Sequence, residues 1–153
     1  MLQGIPSTTT AINRTNGFKF AIQNHKNIRV TTKVANYSRV EAIHVLQELL
    51  QKGQTFDAIY AQNDAMAAGT RIVLKRAGIN PADIPTVGID YLPETRTAIL
   101  NGEQLASFTY PTCGKAGVKV AMDILNGKSV PRYIKVDSQL VTRENAEQIE
   151  PVY

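Results

Sequence analysis

Residues 56–74 read FDAIYAQNDAMAAGTRIVL and predict a strand, a polar corner and a helix in succession. The opening apolar run has the length and the β-branched and aromatic character of a buried strand. Apolar residues then recur at helical spacing from Met66, and Gly78 can end the helix in the left-handed conformation. We expect Asp64 to be the N-cap, because its carboxylate can accept N–H groups of the first turn. Asn63 is then left at the carboxyl end of the strand, where open α/β sheets bind their ligands.

The same alternation of strand and helix runs along the rest of the chain. Ser38 and Glu41 have the spacing of a capping box, which predicts a helix that Gly53 ends. Pro93 suits the first turn of another helix. Further strands are predicted at residues 2–5, 28–34, 84–90, 105–110 and 133–136, and further helices end near residues 24 and 126. Strands that alternate with helices predict an α/β fold with a doubly wound parallel sheet.

Composition limits the classes of function. The chain has 153 residues, 43% of them hydrophobic, which fits one domain with a real core. Its net charge of +4 is scattered and forms no basic cluster, so we expect neither a nucleic-acid nor a membrane partner. Cys113 is the single cysteine, which excludes an internal disulfide and a cysteine-rich metal site. The sequence has no glycine-rich phosphate-binding motif, and we expect no metal and no cofactor.

Five side chains fall at the corners that follow the predicted strands: Arg14, Tyr37, Asn63, Asp90 and Tyr110. Because parallel strands all end at the same edge of a sheet, these residues should gather in one crevice. The set combines a guanidinium, a carboxylate, an amide and two aromatic rings. A guanidinium and a carboxylate can each hold neighbouring hydroxyls, and a ring can cover the C–H face of a sugar. The set therefore favours a neutral polyhydroxylated ligand.

Each of these residues also has a structural interpretation that the sequence leaves open. Arg14 could be a solvated helix residue, and Tyr37 could be a hydrophobic staple before Ser38. Asn63 could form a turn, Asp90 could form an Asx-turn or a cap, and Tyr110 could be a core aromatic residue.

Several motifs in order resemble a known family. The segments RTNGF, AQNDAMAAG, TVGID, NG and LVT begin at residues 14, 61, 86, 101 and 140. Together they resemble the type I periplasmic sugar-binding proteins, in the ribose, galactose and autoinducer-2 branch of the solute-binding proteins of ABC transporters. In that family two α/β lobes, joined by a hinge of three strands, close on a sugar.

The resemblance implies how the chain is divided. Residues 1–111 would form the C-terminal ligand-binding lobe, residues 112–136 would cross to an N-terminal lobe absent from this sequence, and residues 137–153 would return. No signal peptide is recognisable, so we expect the chain to be part of a longer protein. The apolar helix at residues 115–126 would lack its usual partner, which predicts repacking on its own sheet or self-association.

The resemblance also assigns sugar-binding positions. Arg14, Asn63 and Asp90 match ligand-binding positions of the family. Tyr37 stands where the family often has an aromatic residue. Tyr110 stands where ribose binders usually have a glutamine.

The function implied is that of a periplasmic or extracellular lipid-anchored protein, not an enzyme. It would bind a monosaccharide or small polyol between its lobes and deliver it to the membrane subunits of an ABC importer. Two alternatives remain open: the effector-binding core of a LacI-type transcriptional regulator, and a periplasmic sugar or autoinducer sensor domain. An enzyme would need a nucleophile or a base with a partner, and the sequence shows neither.

Overall fold

Strands and helices alternate along residues 1–152, which are the residues described in the computed structural model. The strands are β1 (Leu2–Gln3), β2 (Lys33–Val34), β3 (Ile59–Tyr60), β4 (Thr86–Asp90), β5 (Ala106–Thr109) and β6 (Leu140–Val141). The helices are α1 (Thr9–Ile22), α2 (Arg39–Gln51), α3 (Asp64–Arg76), α4 (Pro93–Leu100) and α5 (Gly114–Leu125), with a 3₁₀ turn at Pro81–Asp83.

The strands lie side by side in the order β2-β1-β3-β4-β5-β6. A parallel bridge between Leu2 and Ala61 joins β1 to β3, and the pairs β1–β2, β3–β4 and β4–β5 are parallel. Only β6 among the described strands runs antiparallel to its neighbour. The order reverses at β1, which places a topological switch point between β1 and β3. The predicted doubly wound α/β class is confirmed.

The main core lies between this sheet and the pair α2 and α3. Its buried members are mostly small and branched apolar side chains: Leu2, Ala35, Ala42, Leu46, Ile59, Ala61, Met66, Ala67, Val73 and Leu74. The two helices approach closely at Gly69, where an added Cβ would lie 2.6 Å from the carbonyl oxygen of Arg39. Gly69 is therefore a packing glycine, because no other residue allows this helix contact.

The opposite face of the sheet is only partly covered. Helix α1 lies on it, and beside the helix is a cavity of about 640 Å³. Its lining is dominated by apolar side chains, among them Phe18, Tyr60, Val87, Ile89 and Phe108. Helix α5 buries none of its residues, and Leu125 is 79% exposed. Both surfaces are apolar and open to solvent in this chain.

Two predicted strands differ from the structure. The strand predicted at residues 28–34 is reduced to Lys33–Val34, an exposed edge that pairs only with the two-residue β1. Residues 133–136 form no strand in the described chain. Tyr133 and Ile134 are both exposed there, so the apolar pattern of this segment does not reflect burial against a neighbouring strand. The final strand is β6 instead.

We expect Gly69→Ala to lower the free energy of unfolding by about 1–3 kcal/mol, because the new methyl group overpacks the α2–α3 contact. This loss would exceed the gain of about 1 kcal/mol from helix propensity. Gly17→Ala is the matched control, since Gly17 lies in α1 with nothing within 4 Å of an added Cβ. Urea unfolding should show the control equal to or more stable than wild type. Equal stabilities for the two variants would contradict the proposed overpacking.

Candidate ligand-binding site

The guanidinium of Arg14, on α1, is the centre of the site. Its Nη1 donates a hydrogen bond to the carbonyl oxygen of Gln62, just after β3. Its Nη2 lies 3.6 Å from Oδ1 of Asp90 at the end of β4. The Cζ atom lies 5.1 Å from the ring centroid of Tyr110 and 5.8 Å from that of Tyr37. Four of the five predicted residues therefore meet around one side chain at the carboxyl edge of the sheet.

Asp90 is held in an unusual backbone conformation. Its φ is 120° and that of Tyr91 is 58°, both in the region that favours glycine. Such residues cost about 1–3 kcal/mol each and persist only where surrounding contacts fix them. The Tyr91 ring is fully buried, and its hydroxyl donates to the carbonyl oxygen of Ala146 at 2.6 Å. The bend after β4 thus directs the Asp90 carboxylate toward Arg14.

The surroundings of Asp90 alter its protonation. Burial raises the pKa of the carboxyl group to about 6, although the neighbouring Arg14 guanidinium acts in the opposite direction. The charge of Asp64 adds to the increase in this pKa. A pKa of about 6 means that Asp90 is mostly ionised at pH 7 and gains its proton below about pH 6.

Asn63 contributes to the site mainly through structure. Its Oδ1 accepts from the Met66 N–H at 3.0 Å, and its Nδ2 donates to the Tyr37 carbonyl oxygen at 3.2 Å. Asn63, not Asp64, is therefore the N-cap of α3. The predicted N-cap was wrong by one residue because asparagine and aspartate cap equally well. One N–H of the Asn63 amide is left for a ligand.

Asp64 instead turns inward and is fully buried. Its carboxylate accepts from the Tyr91 N–H at 2.7 Å, from Ser107 Oγ at 2.6 Å and from Gln104 Nε2 at 3.0 Å. Burial raises the pKa of Asp64, while these donors oppose the increase. Strand β4 can pass beside the carboxylate because Gly88 has no side chain. An added Cβ at this position would lie 1.9 Å from Oδ1 of Asp64. The buried role of Asp64 was not predicted from the sequence, although its position close after the apolar strand at residues 56–61 could have indicated burial.

Gln62 is a second buried polar residue that sequence analysis missed. Its Oε1 accepts from the Gly4 N–H at 3.0 Å, and its Nε2 donates to Thr15 Oγ1 at 2.8 Å. The side chain joins β3 to β1 and α1 across the switch point. It thereby fixes the helix that carries Arg14 against the strand that precedes Asn63.

The two tyrosines differ in their availability to a ligand. Tyr37 has a φ of 62° and is partly buried, with its ring over Gly4, where an added Cβ would lie 2.0 Å from the ring Cζ. Its hydroxyl is buried and has no hydrogen-bond partner among residues 1–152. Tyr110 is 52% exposed and follows Thr109, the register partner of Asp90. Tyr110 is therefore the ring with more surface open to the crevice.

Within residues 1–152, no group of three or more His, Cys, Asp and Glu side chains could hold a metal ion. Over the same range, no helix has both the length and the apolar character needed to cross a membrane. The thiol of Cys113 is exposed at the start of α5.

The fold and the site together define one lobe of a periplasmic binding protein. The sequence matches the periplasmic binding protein domain family over residues 1–129, and the chain belongs to this family. It is 34% identical over 145 residues to the ribose import binding protein RbsB of Salmonella typhimurium, covering 94% of this chain and 48% of that protein. The chain thus spans about half the length of the curated relatives it matches.

Solved structures agree with this assignment. An ABC transporter solute-binding protein from Bacillus halodurans, with bound myo-inositol, is 30% identical with a TM-score of 0.85, over 96% of this chain and 52% of that chain. The fructose-binding periplasmic domain of a hybrid two-component system is 33% identical with a TM-score of 0.86, over 96% and 50%. The predicted family is therefore confirmed, and so is the predicted fold class of one lobe of a periplasmic binding protein.

Removing the Tyr37 hydroxyl tests whether it is unpaired. We expect Tyr37→Phe to raise the free energy of unfolding by about 1 kcal/mol, because the variant no longer buries a polar group without a partner. Tyr91→Phe is the matched control, since it deletes the hydroxyl that binds the Ala146 carbonyl oxygen. That control should lower stability by about 1–2 kcal/mol. Chemical denaturation of both variants would measure the difference, and equal losses would show that Tyr37 has a partner.

Proposed function

We propose that this chain is the C-terminal part of a solute-binding protein of an ABC sugar importer. The Arg14 cluster would bind one side of a monosaccharide or small polyol. The observation that carries the proposal is the convergence of Arg14, Asp90 and the two tyrosine rings at the switch point of the sheet. Ligands of open α/β sheets bind at this position.

Each group has a role that suits a neutral ligand with many hydroxyls. Arg14 keeps N–H donors beyond the one that binds the Gln62 carbonyl oxygen. Asp90, when ionised, accepts hydrogen bonds from neighbouring hydroxyls. Tyr110 would present its exposed ring to the C–H face of a sugar, and the Tyr37 ring also lies near the Arg14 guanidinium. Asn63 offers its remaining N–H. Binding requires no bond to be made or broken, so we propose a transport function and not an enzyme.

The second half of the binding cleft would come from another lobe. We propose that residues 1–111 form the ligand-binding lobe, that residues 112–136 cross to the N-terminal lobe, and that residues 137–153 return. None of the residues of α5 is buried, which supports this division, because an apolar helix normally packs against a partner. Closure of the two lobes about a hinge would signal to the membrane subunits of the importer. The protein would work in the periplasm or as an extracellular lipid-anchored form.

A sensor function is the second candidate. It is favoured by the similarity to the fructose-binding periplasmic domain of a hybrid two-component system. A sensor would use the same crevice and the same lobe closure, and would differ in what lies downstream of the binding domain. Signalling by a genetic fusion of the protein to a membrane kinase would support this function.

Calorimetric titration of the two-lobed protein with a panel of pentoses and hexoses tests the binding function. We expect one sugar to bind, and its affinity to fall as the pH decreases below about 6, because the protonated Asp90 loses acceptor capacity. Asp90→Asn should weaken binding about tenfold or more at pH 7.5 and remove this pH dependence.

Asp83→Asn is the control for that titration, because Asp83 is exposed on the 3₁₀ turn, away from the crevice. It should bind like wild type at every pH. Failure of every sugar and polyol to bind the wild-type protein would refute the proposed function.

We also propose that the 153-residue chain by itself pairs through the helix at residues 115–126. The exposed stripe of Val118, Met122 and Leu125 supports this pairing. Sedimentation velocity should show a dimer whose proportion increases with concentration, and Leu125→Lys should return the chain to a monomer. Phe20→Lys, on the exposed part of α1, is the control and should leave the dimer intact. A wild-type chain that stays monomeric would exclude the pairing.

A further inference from the structure

The buried carboxylate of Asp64 is bonded directly to the backbone that presents Asp90. Its Oδ2 accepts from the Tyr91 N–H at 2.7 Å, one residue after Asp90. Ser107 Oγ, on β5, donates to the same oxygen at 2.6 Å, and Gln104 Nε2 donates to Oδ1 at 3.0 Å. The carboxylate thus connects the first turn of α3 to the end of β4 and to β5.

This bond acts at a strained point of the backbone. Asp90 and Tyr91 both have positive φ values, so the bend after β4 is not one that the chain would adopt unaided. The Tyr91 N–H, Ser107 Oγ and Gln104 Nε2 all donate to Asp64, and an ionised carboxylate has enough lone pairs to accept from all three. The carboxylate is supported in turn by Gln104, whose Oε1 accepts from Nη1 of the buried Arg71.

We infer that Asp64 is a positioning residue for ligand binding: it holds the Asp90–Tyr91 bend so that the Asp90 carboxylate faces Arg14. Asp64 itself is fully buried. This inference rests on the proposed function, since the ligand that Asp90 binds is part of that proposal. It assigns to Asp64 a role in place of the helix capping predicted from the sequence, and it explains why β4 carries a glycine at position 88 beside the carboxylate.

The charges that face Asp90 come from two elements. Arg14 on α1 lies 3.6 Å away, and Asp64 on α3 acts from within the core. A change at Asp64 therefore affects Asp90 both through the position of the bend and through the lost negative charge.

A double-mutant cycle in the two-lobed protein separates positioning from general stabilisation. Affinity for the sugar identified by titration is measured for wild type, Asp64→Asn, Asp90→Asn and the double variant. We expect Asp64→Asn to weaken binding about tenfold or more, because an amide cannot accept from all three donors. The double variant should bind within about twofold of Asp90→Asn alone, since Asp64 acts through Asp90. Additive losses, or wild-type affinity in Asp64→Asn, would overturn the inference.

Leu74→Ala is the control for lost stability. Leu74 lies on the same helix and is buried in the core away from the bend. This variant should melt at a lower temperature and keep wild-type affinity. If Asp64→Asn does not fold, Ser107→Ala takes its place in the cycle, because it removes one donor to the same carboxylate. Its smaller loss of affinity should likewise disappear in the Asp90→Asn background, and a loss that persists there would overturn the inference.

A measurement without ligand distinguishes this inference from the proposed function. In wild type, NMR of the Asp90 carboxyl carbon should show a pKa of about 6. In Asp64→Asn the pKa should fall toward about 4, because the nearby negative charge is lost and a released bend exposes the carboxyl group to water. An unchanged pKa in Asp64→Asn would refute the positioning role. Absence of sugar binding by wild type would refute only the proposed function.

Discussion

The hydrogen bonds that converge on the buried Asp64 carboxylate are the constraint on which the edge of the sheet depends. A carboxylate taken out of water is costly unless its oxygens are bonded. Here the Tyr91 N–H, Ser107 and Gln104 provide donors from β4, β5 and the loop between α4 and β5. If β4, β5 or the loop between α4 and β5 shifted by itself, the buried Asp64 carboxylate would lose a hydrogen bond. The buried Asp64 therefore helps to fix the geometry of the crevice through these hydrogen bonds.

Gln62 likewise connects separate elements through buried hydrogen bonds, at the other side of the switch point. It is fully buried and bonds to Gly4 on the β1 side and to Thr15 on α1. Its backbone carbonyl oxygen also accepts a hydrogen bond from the Arg14 guanidinium. One residue thus sets the position of α1 relative to β3 and the direction of the Arg14 side chain. The two buried polar residues, at positions 62 and 64, flank Asn63, which caps α3 between them.

The convergence of the site could be predicted from sequence because it follows from strand direction alone. Parallel strands bring Arg14, Asp90 and Tyr110 to the same edge whatever their side chains contact. The uses of the individual side chains could not be predicted in the same way. Asn63 and Asp64 are adjacent, chemically similar and both buried, and only the donors that each side chain meets in the fold decide which is the cap. The Asp64 network depends on Ser107 and Gln104, which are about 40 residues away in the chain.

The strand predictions failed for a different reason. Residues 28–34 and 133–136 have apolar patterns typical of strands, yet a pattern does not supply a neighbour with which to pair. In the structure, Val34 lies on an exposed edge and Tyr133 is solvent-exposed. Local sequence therefore predicts an extended backbone, whereas pairing into a β-strand depends on whether the rest of the sheet provides a neighbouring strand.

The geometry of the Arg14–Asp90 pair argues for a neutral ligand. At 3.6 Å the two groups are too far apart for a good hydrogen bond, and their side chains are 12% and 24% exposed. A hydroxyl placed beside the pair, within hydrogen-bond reach of both groups, can donate to the carboxylate and accept from the guanidinium. The ionised Asp90 carboxylate would repel an anionic ligand, and the Arg14 guanidinium would repel a cationic one. The pair is therefore best satisfied by a group that both donates and accepts without carrying charge, which is the chemistry of a sugar hydroxyl.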